Sequence, residues 1–342
     1  MKLNLPMFFP DATNAKIRAV SNSDLKRIKV DGLVVNTYHL LREKLISKIQ
    51  RKGGIHKFMS FSRPIISDSG GFQVMSLIHD NPGCGRILED GAEFEFDGKK
   101  IMLTPEKCIQ LQMKIGSDII MCLDDCTKPE ASIKNQEKSV ERTISWAKRC
   151  QNEFVRLTRN KKIKPMFFAI VQGGENKKLR TRCASSLIKI GFDGYAFGGW
   201  PVRDGQLLLE ILKHVADSIP KDKPRYAMGI GKPKDIIECC KLGYNMFDCV
   251  IPTRDARHKR LYVWKNKRGL SYDLLYIRGR HNKSKKKVSK YCDCLCCKKH
   301  NLGELYKYYK DKNEKYCSLA SIHNLRFYSQ LMEKLRDKRG KN

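Results

Sequence analysis

Long apolar runs are missing from this chain of 342 residues. No segment approaches the eighteen apolar residues of a membrane-spanning helix, and residues 1–10 lack the layout of a signal peptide. The fourteen cysteines show no even framework like that of secreted disulfide proteins. Apart from a lysine run at 283–290, low-complexity segments and short repeats are absent. These absences favour a protein of the reducing cytoplasm that does not act at a membrane.

Acidic residues are scarce relative to basic ones. Lysine and arginine total 68 against 36 aspartates and glutamates, which gives a formal net charge of +32. The excess is densest between Lys259 and Lys299, where fourteen basic residues accompany two acidic ones. A positive field of this size favours a polyanionic partner, and nucleic acid is the first candidate. Lysine-rich usage across a whole proteome is the alternative.

Near the C-terminus, four residues have the spacing of a closed metal site: Cys292, Cys294, Cys297 and His323. Three thiolates and one imidazole fill the tetrahedral shell of a structural zinc ion and leave no position for water or substrate. We therefore expect one structural zinc per chain, and chemistry elsewhere in the molecule. The alternative is a chance grouping of reduced, buried cysteines, because Cys296 and Cys317 show that thiols are abundant here.

Short apolar runs alternate with longer amphipathic stretches along most of the chain. Seven runs are typical of buried strands: Leu33–Val35, Pro64–Ser67, Asp118–Leu123, Met166–Val171, Tyr195–Phe197, Arg225–Met228 and Met246–Val250. We expect an eighth strand in the irregular region 261–290. The alternation predicts an α/β fold with a parallel sheet and outer helices, and the count favours a (β/α)8 TIM barrel. We predict the barrel over residues 1–284 and a zinc-binding subdomain with a closing C-terminal helix over 285–342.

Nearly every predicted strand ends in a group of polar or glycine residues. These groups begin at Asn36, Asp68, Asp124, Gln172, Gly198, Met228 and Asp248. In a closed barrel the C-terminal ends of all strands meet at one mouth, where barrel enzymes place their active sites. Turn formation explains some of the glycines, but it does not explain three carboxylates from three different strands.

The same groups carry a family resemblance. Five segments resemble the bacterial tRNA-guanine transglycosylases (queuine tRNA-ribosyltransferases): Asp68-Ser-Gly-Gly-Phe-Gln-Val, Val171-Gln-Gly-Gly, Gly191-Phe-Asp-Gly-Tyr-Ala, Met228-Gly-Ile-Gly-Lys-Pro and Met246-Phe-Asp-Cys-Val-Ile-Pro-Thr-Arg. The resemblance extends from about Pro6 to Leu335 and includes the cysteine and histidine spacing. It implies a homodimeric enzyme that acts on tRNA in queuosine biosynthesis. Such an enzyme exchanges guanine at the anticodon wobble position for a 7-deazaguanine, either preQ1 or queuine.

Base exchange without inversion at C1′ requires two displacements, as in retaining glycosidases. By resemblance, Asp248 is the nucleophile that forms a covalent ribosyl intermediate, and Asp68 deprotonates the incoming base. Considered alone, either aspartate is more often a helix cap or a salt-bridge partner than a catalyst.

The resemblance also assigns the recognition of the base. Phe72 and Met228 sandwich the purine, although an aromatic residue and a methionine are more often core residues. Asp124 accepts hydrogen bonds from guanine N1 and the exocyclic amine. The donors to the carbonyl oxygen are the Gln172 side chain and the Gly199 backbone amide.

Beyond the nucleophile, Arg254 and Arg257 match residues that hold the flanking uridines, with simple phosphate contact as the alternative. The chain departs from the family after the fifth predicted strand. It has Gly198-Gly-Trp-Pro-Val-Arg-Asp204, where bacterial members usually have Gly-Gly-Leu-Ala-Val-Gly-Glu. Val202 keeps the branched residue that accompanies preQ1, and the neighbouring substitutions change the shape and charge of the same wall.

Three other functions fit parts of the pattern. A queuine-salvaging transglycosylase differs only in its base. A non-catalytic tRNA-binding partner subunit would not need both Asp68 and Asp248. An archaeosine-type transglycosylase carries further C-terminal RNA-binding domains, for which a chain that stops at Asn342 leaves no room.

Overall fold

Eight short parallel strands form the central sheet of the computed structural model, which describes residues 3–339. In chain order they are β1 (Met7–Pro10), β2 (Leu33–Asn36), β3 (Ile65–Asp68), β4 (Ile119–Met121), β5 (Met166–Val171), β6 (Gly194–Phe197), β7 (Arg225–Ala227) and β8 (Met246–Cys249). Each strand from β3 to β8 pairs with the one before it, and β1 pairs with β8. A parallel bridge between Asp11 and Val34 connects the end of β1 to β2. The sheet is therefore a nearly closed barrel, as predicted.

The predicted position of the eighth strand was wrong. The strand is Met7–Pro10, whose four residues are all buried and pair in register with Met246–Cys249. Region 261–290 instead contributes to an antiparallel hairpin outside the barrel, formed by Arg260–Trp264 and Tyr272–Tyr276. Several residues of the second hairpin strand face solvent. A parallel barrel strand is buried on both faces, so this segment cannot be one.

Helices surround the barrel and follow its strands. They are α1 (Asn22–Arg27), α2 (Thr37–Arg42), α3 (Ile46–Arg51), α4 (Ile55–Met59), α5 (Gly71–Asp80), α6 (Pro105–Ile115), α7 (Ile133–Thr158), α8 (Lys177–Ile190), α9 (Leu209–Ser218), α10 (Pro233–Lys241), α11 (Ile251–Arg257), α12 (Leu295–Lys299), α13 (Leu302–Lys310) and α14 (Glu314–Arg339). A three-stranded sheet lies between α5 and α6 (Gly85–Leu88, Gly91–Phe96, Lys99–Leu103), and a short ribbon lies between β6 and α9 (Val202–Arg203, Gln206–Leu207). Within residues 3–339, none of these helices has the length and apolar character of a bilayer span.

Side chains of the barrel strands alternate between two apolar clusters. In β5, Phe168 and Ile170 point into the barrel, and Phe167, Ala169 and Val171 pack in the outer cluster that includes the helices. The inner cluster fills the barrel with apolar side chains from all eight strands, most of them bulky. The interior is therefore a packed core rather than a pore, and polar chemistry is confined to the strand ends.

The C-terminal helix α14 fastens the segments that follow β8. The Asn324 side chain accepts from the Tyr262 amide at 3.1 Å and donates to the carbonyls of Pro252 and Arg260, each at 2.9 Å. Phe327 stacks on Trp264 of the hairpin with ring centroids 4.0 Å apart. The hairpin and α14 thus pack together across the proposed domain boundary at 284, which stays a prediction.

Candidate active site and metal centre

The C-terminal ends of the strands surround a cavity of about 510 Å³. Seven residues that the sequence singled out for catalysis or base binding line it together: Asp68, Phe72, Asp124, Gln172, Gly199, Met228 and Asp248. They lie at or just after the C-terminal ends of six different strands, and only the barrel brings them into one cavity. Arg254 and Arg257 are not among the lining residues; they lie on α11, just beyond the rim. Arg254 is exposed, and Arg257 is half-buried beside Arg18.

Asp248 stands at the end of β8 and is held by two neutral donors. The Tyr226 hydroxyl donates to Oδ1 at 2.7 Å, and the Gly229 amide donates to the same atom at 2.8 Å. Burial raises the pKa of Asp248 from 3.8 to about 6, because desolvation outweighs these two hydrogen bonds. Sequence reasoning missed Tyr226, since a tyrosine inside a buried strand has no signal that separates it from ordinary core.

Asp68 ends β3 and is held in a similar way. The Asn36 side chain donates to Asp68 Oδ2 at 2.7 Å and to the Gln73 side chain at 2.8 Å. Burial and then the charge of Asp248 raise the pKa of Asp68 to about 6. A carboxyl group with this pKa can accept or release a proton near neutral pH.

Asp124 and Gln172 form a third polar group, deeper in the cavity. The Gln172 side-chain amide donates to Asp124 Oδ2 at 2.6 Å, and burial raises the pKa of Asp124 to about 7. Gly198 and Gly199 lie directly against Gln172. A Cβ atom on Gly198 would stand 2.6 Å from the Gln172 amide nitrogen, and Gly199 has a left-handed φ of +82°. The glycines therefore allow the backbone to approach the amide side chain closely.

An exposed aromatic pair marks one side of the cavity. Phe72 is 39% exposed and makes an edge-to-face contact with Trp200, with ring centroids 5.5 Å apart. The Trp200 indole nitrogen donates to the Thr127 carbonyl at 3.3 Å, which helps to hold the ring. Met228 lines the same cavity and packs against the barrel interior. A large exposed aromatic face inside a cavity suits a flat, partly apolar ligand.

The predicted metal ligands form one tight group. The ligand atoms of Cys292, Cys294, Cys297 and His323 all lie within 4.8 Å of one another. His323 Nδ1 is 3.7 Å from the Cys294 sulfur and 3.3 Å from the Cys297 sulfur. His323 Nε2 lies 2.8 Å from the Tyr262 carbonyl, which can only accept. Nε2 therefore carries the proton, and the lone pair of Nδ1 faces the thiols, as in a metal-ligating histidine. Together the four side chains could hold a metal ion.

Local structure positions this group. Cys294 caps α12, where its sulfur accepts from the Cys297 amide at 3.5 Å. Asp293, between two of the ligands, pairs at 2.5 Å with Arg326 of α14, which also bonds Glu333. The cysteine loop is thereby fixed to the helix that carries His323. Cys296 is buried beside the group but is not part of it.

The molecule is thus a (β/α)8 barrel with three carboxylates at its mouth and a separate group of three cysteines and one histidine that could hold a metal ion. The family model described as "Queuine tRNA-ribosyltransferase" matches residues 1–339. Proteins of that name from Psychrobacter sp. (strain PRwf-1) and Shewanella sp. (strain W3-18-1) are 37% and 39% identical to it, over 98% and 97% of this chain and 86% of each relative. A third, from Caldanaerobacter subterraneus subsp. tengcongensis, is 39% identical over 98% of the chain and 86% of its own length. The chain therefore belongs to the queuine tRNA-ribosyltransferase family and is an enzyme of that family.

The raised pKa of Asp248 predicts a pH-dependent gain of stability in Asp248→Asn. The folded protein binds this proton more tightly than the unfolded chain, so stability falls as pH rises from about 4 to 6. The asparagine oxygen can accept the same two hydrogen bonds without a buried charge. Chemical denaturation at pH 8 should show Asp248→Asn more stable than wild type by about 1–2 kcal/mol. At pH 4 the difference should vanish. An equal gain at both pH values would refute this explanation.

Loss of the metal ligands should destabilise the protein. His323→Ala should lose bound metal and lower the melting temperature, because the binding energy of a structural metal ion contributes to folding energy. Metal analysis of the wild type should find about one ion per chain. Cys296→Ala is the matched control, a buried thiol outside the group, and should keep the metal. A wild-type protein that is fully folded without metal contradicts the assignment.

Proposed function

We propose that the enzyme exchanges guanine at the wobble position of tRNA anticodons for preQ1, through a ribosyl intermediate on Asp248. The observation that carries this proposal is the pair of desolvated, half-buried carboxylates, Asp248 and Asp68, at one cavity mouth. Family membership supports the reaction class. The cavity, at about 510 Å³, has the size of a small-molecule pocket.

Two displacements at C1′ account for base exchange with retention. In the first, an Asp248 oxygen attacks C1′ as the bond from C1′ to guanine N9 breaks, and the protonated form of Asp68 supplies the proton that guanine takes up. In the second, ionised Asp68 removes the N9 proton of the incoming base. N9 then attacks C1′, and the Asp248–C1′ bond breaks. The donors Tyr226 and Gly229 hold Asp248 without neutralising it by a cation.

Guanine and preQ1 share the edge that the cavity recognises. Ionised Asp124 accepts from N1–H and the exocyclic amine, while Gln172 and the Gly199 amide donate to the carbonyl oxygen. Phe72 and Met228 cover the two faces. A purine that lacks N1–H and the exocyclic amine leaves the buried carboxylate of Asp124 without these two hydrogen bonds, which disfavours its binding.

The wall at 200–203 bears on the choice of base. Val202 lines the cavity together with Trp200 and Pro201, and a branched side chain at this position supports preQ1 over the bulkier queuine. Arg203 pairs with Glu175 at 2.6 Å, so its charge is compensated at the rim. Mass spectrometry of tRNA after separate incubation with preQ1 and with queuine distinguishes the two bases.

The remaining assignments concern tRNA and zinc. Arg254 and Arg257 lie beyond the rim, where they can hold the nucleotides that flank the target. Three thiolates and one imidazole suit zinc, which supplies folding energy and takes no part in the reaction. We propose a cytoplasmic homodimer, on the resemblance alone.

Asp248→Asn should abolish base exchange and leave tRNA binding nearly intact, because only the charge of the nucleophile is lost. The rate should fall by several orders of magnitude, as for other covalent catalysts. In the absence of an incoming base, wild type should form a denaturation-resistant adduct with tRNA, visible as a gel shift, that this variant lacks. Asp68→Asn should still trap the adduct, more slowly than wild type, and fail to turn over, because removing the N9 proton of the incoming base depends on Asp68 more than the departure of guanine does.

The opposite pattern of adducts would show that the two aspartates have reversed roles. No adduct and no label exchange in wild type would favour the non-catalytic partner subunit.

The lysine run should act on tRNA affinity rather than chemistry. Lys283, Lys285, Lys286, Lys287 and Lys290 are all exposed. Replacing four of them by glutamine should weaken tRNA binding. Several fewer counterions should be released on binding, so the affinity should depend less steeply on salt concentration. Catalysis at saturating tRNA should change little. An unchanged salt slope, measured by titration at several salt concentrations, would place the RNA path elsewhere.

A further inference from the structure

Arg180 is a buried cation that the reaction scheme leaves without a role. It lies on α8 and is 1% exposed. Its contacts among the described residues are backbone carbonyls and the face of Phe197, whose ring centroid is 4.2 Å from the guanidinium carbon. Burial lowers the pKa of Arg180 to about 10, so it remains charged at neutral pH. A buried arginine without a carboxylate partner calls for an explanation.

The carbonyls that Arg180 binds belong to two loops of the cavity. Its Nη1 donates to Val171 at 2.5 Å and to Gly198 at 3.0 Å, and its Nε donates to Gly174 at 2.8 Å. Val171 ends β5 and Gly174 lies in the loop after it, on either side of Gln172, while Gly198 precedes Gly199 in the loop after β6. One guanidinium thus joins the two loops that carry the proposed donors to the base.

The bond to Gly198 determines where the next amide points. In a trans peptide the C=O and the following N–H point in opposite directions. Because the Gly198 carbonyl is turned toward Arg180, the Gly199 N–H is turned away from it. Because glycine has no side chain, the peptide between Gly198 and Gly199 can rotate at little steric cost. Its orientation must therefore be fixed by contacts with other residues.

We infer that Arg180 is a positioning residue that orients the Gly198–Gly199 peptide so that the Gly199 amide donates to the carbonyl oxygen of the base. The inference rests on the proposed function. It assigns base selectivity to a residue that never touches the base.

Arg180→Lys tests the inference, because lysine keeps the charge but cannot span three carbonyls with a rigid fork. The matched control is Arg225→Lys. Arg225 is also buried and donates to two backbone carbonyls, those of Ile219 and Pro220, but it starts β7 at the opposite end of the barrel. The probes are guanine and 6-thioguanine. Both keep the N1–H and the amine that face Asp124, but sulfur is a weak acceptor in place of oxygen.

In Arg180→Lys, the KM and Kd for guanine should rise about tenfold, which corresponds to one lost hydrogen bond. The kcat at saturating guanine, and the Kd for 6-thioguanine, should change less than twofold. Arg225→Lys should leave all four quantities near wild type. If Arg180→Lys does not fold, Phe197→Leu is the second variant. It removes the ring that packs against the guanidinium and keeps the three donors, and it should raise the Kd for guanine selectively but by a smaller factor.

If Arg180→Lys raises the Kd for guanine and for 6-thioguanine by the same factor, or raises neither, the inference is overturned and the proposed function still stands. A wild-type protein that binds neither base overturns the proposed function, and the inference with it.

Discussion

Desolvation of carboxylates at the barrel mouth is the constraint on which the rest of the site depends. Asp68, Asp124 and Asp248 are bonded by neutral donors, from Asn36, Gln172, Tyr226 and Gly229. Neutral donors orient a carboxylate but do not offset its burial as a cation would, so the pKa values of all three rise. Asp125, the neighbour of Asp124 in the chain, is paired with Arg142 at 2.5 Å, which offsets part of its burial, although the pKa of Asp125 is still raised. The three carboxylates at the barrel mouth are thus held in place at the expense of stability.

The candidate metal group is connected to the same site through α14. His323 and Asn324 are neighbours on α14; the first faces the cysteines, and the second bonds the carbonyls of Pro252 and Arg260 at either end of the α11 segment. This segment follows Asp248 and carries Arg254 and Arg257. The helix that carries His323 therefore also fixes the segment that bears the proposed RNA contacts.

Much of the fold could be predicted from the sequence. Seven barrel strands are apolar runs bounded by turn residues, because strands buried on both faces must be apolar throughout. The eighth could not be located, since Met7–Pro10 is a four-residue run with no preceding helix to mark it, whereas the hairpin at 260–276 supplied a competing apolar pattern. The carboxylates could be predicted as a group because the ends of parallel strands meet at one edge.

By itself the sequence determined the barrel class, the metal-ligand spacing and the carboxylates at the strand ends, since these depend on local patterns of residue type. Only the tertiary structure decided which partners hold each carboxylate and which way the Gly198–Gly199 peptide faces. Tyr226 lies 22 positions from Asp248, and Arg180 lies 18 positions from Gly198. Their roles arise from contacts between different strands and helices, and such contacts leave no periodicity or spacing in the chain.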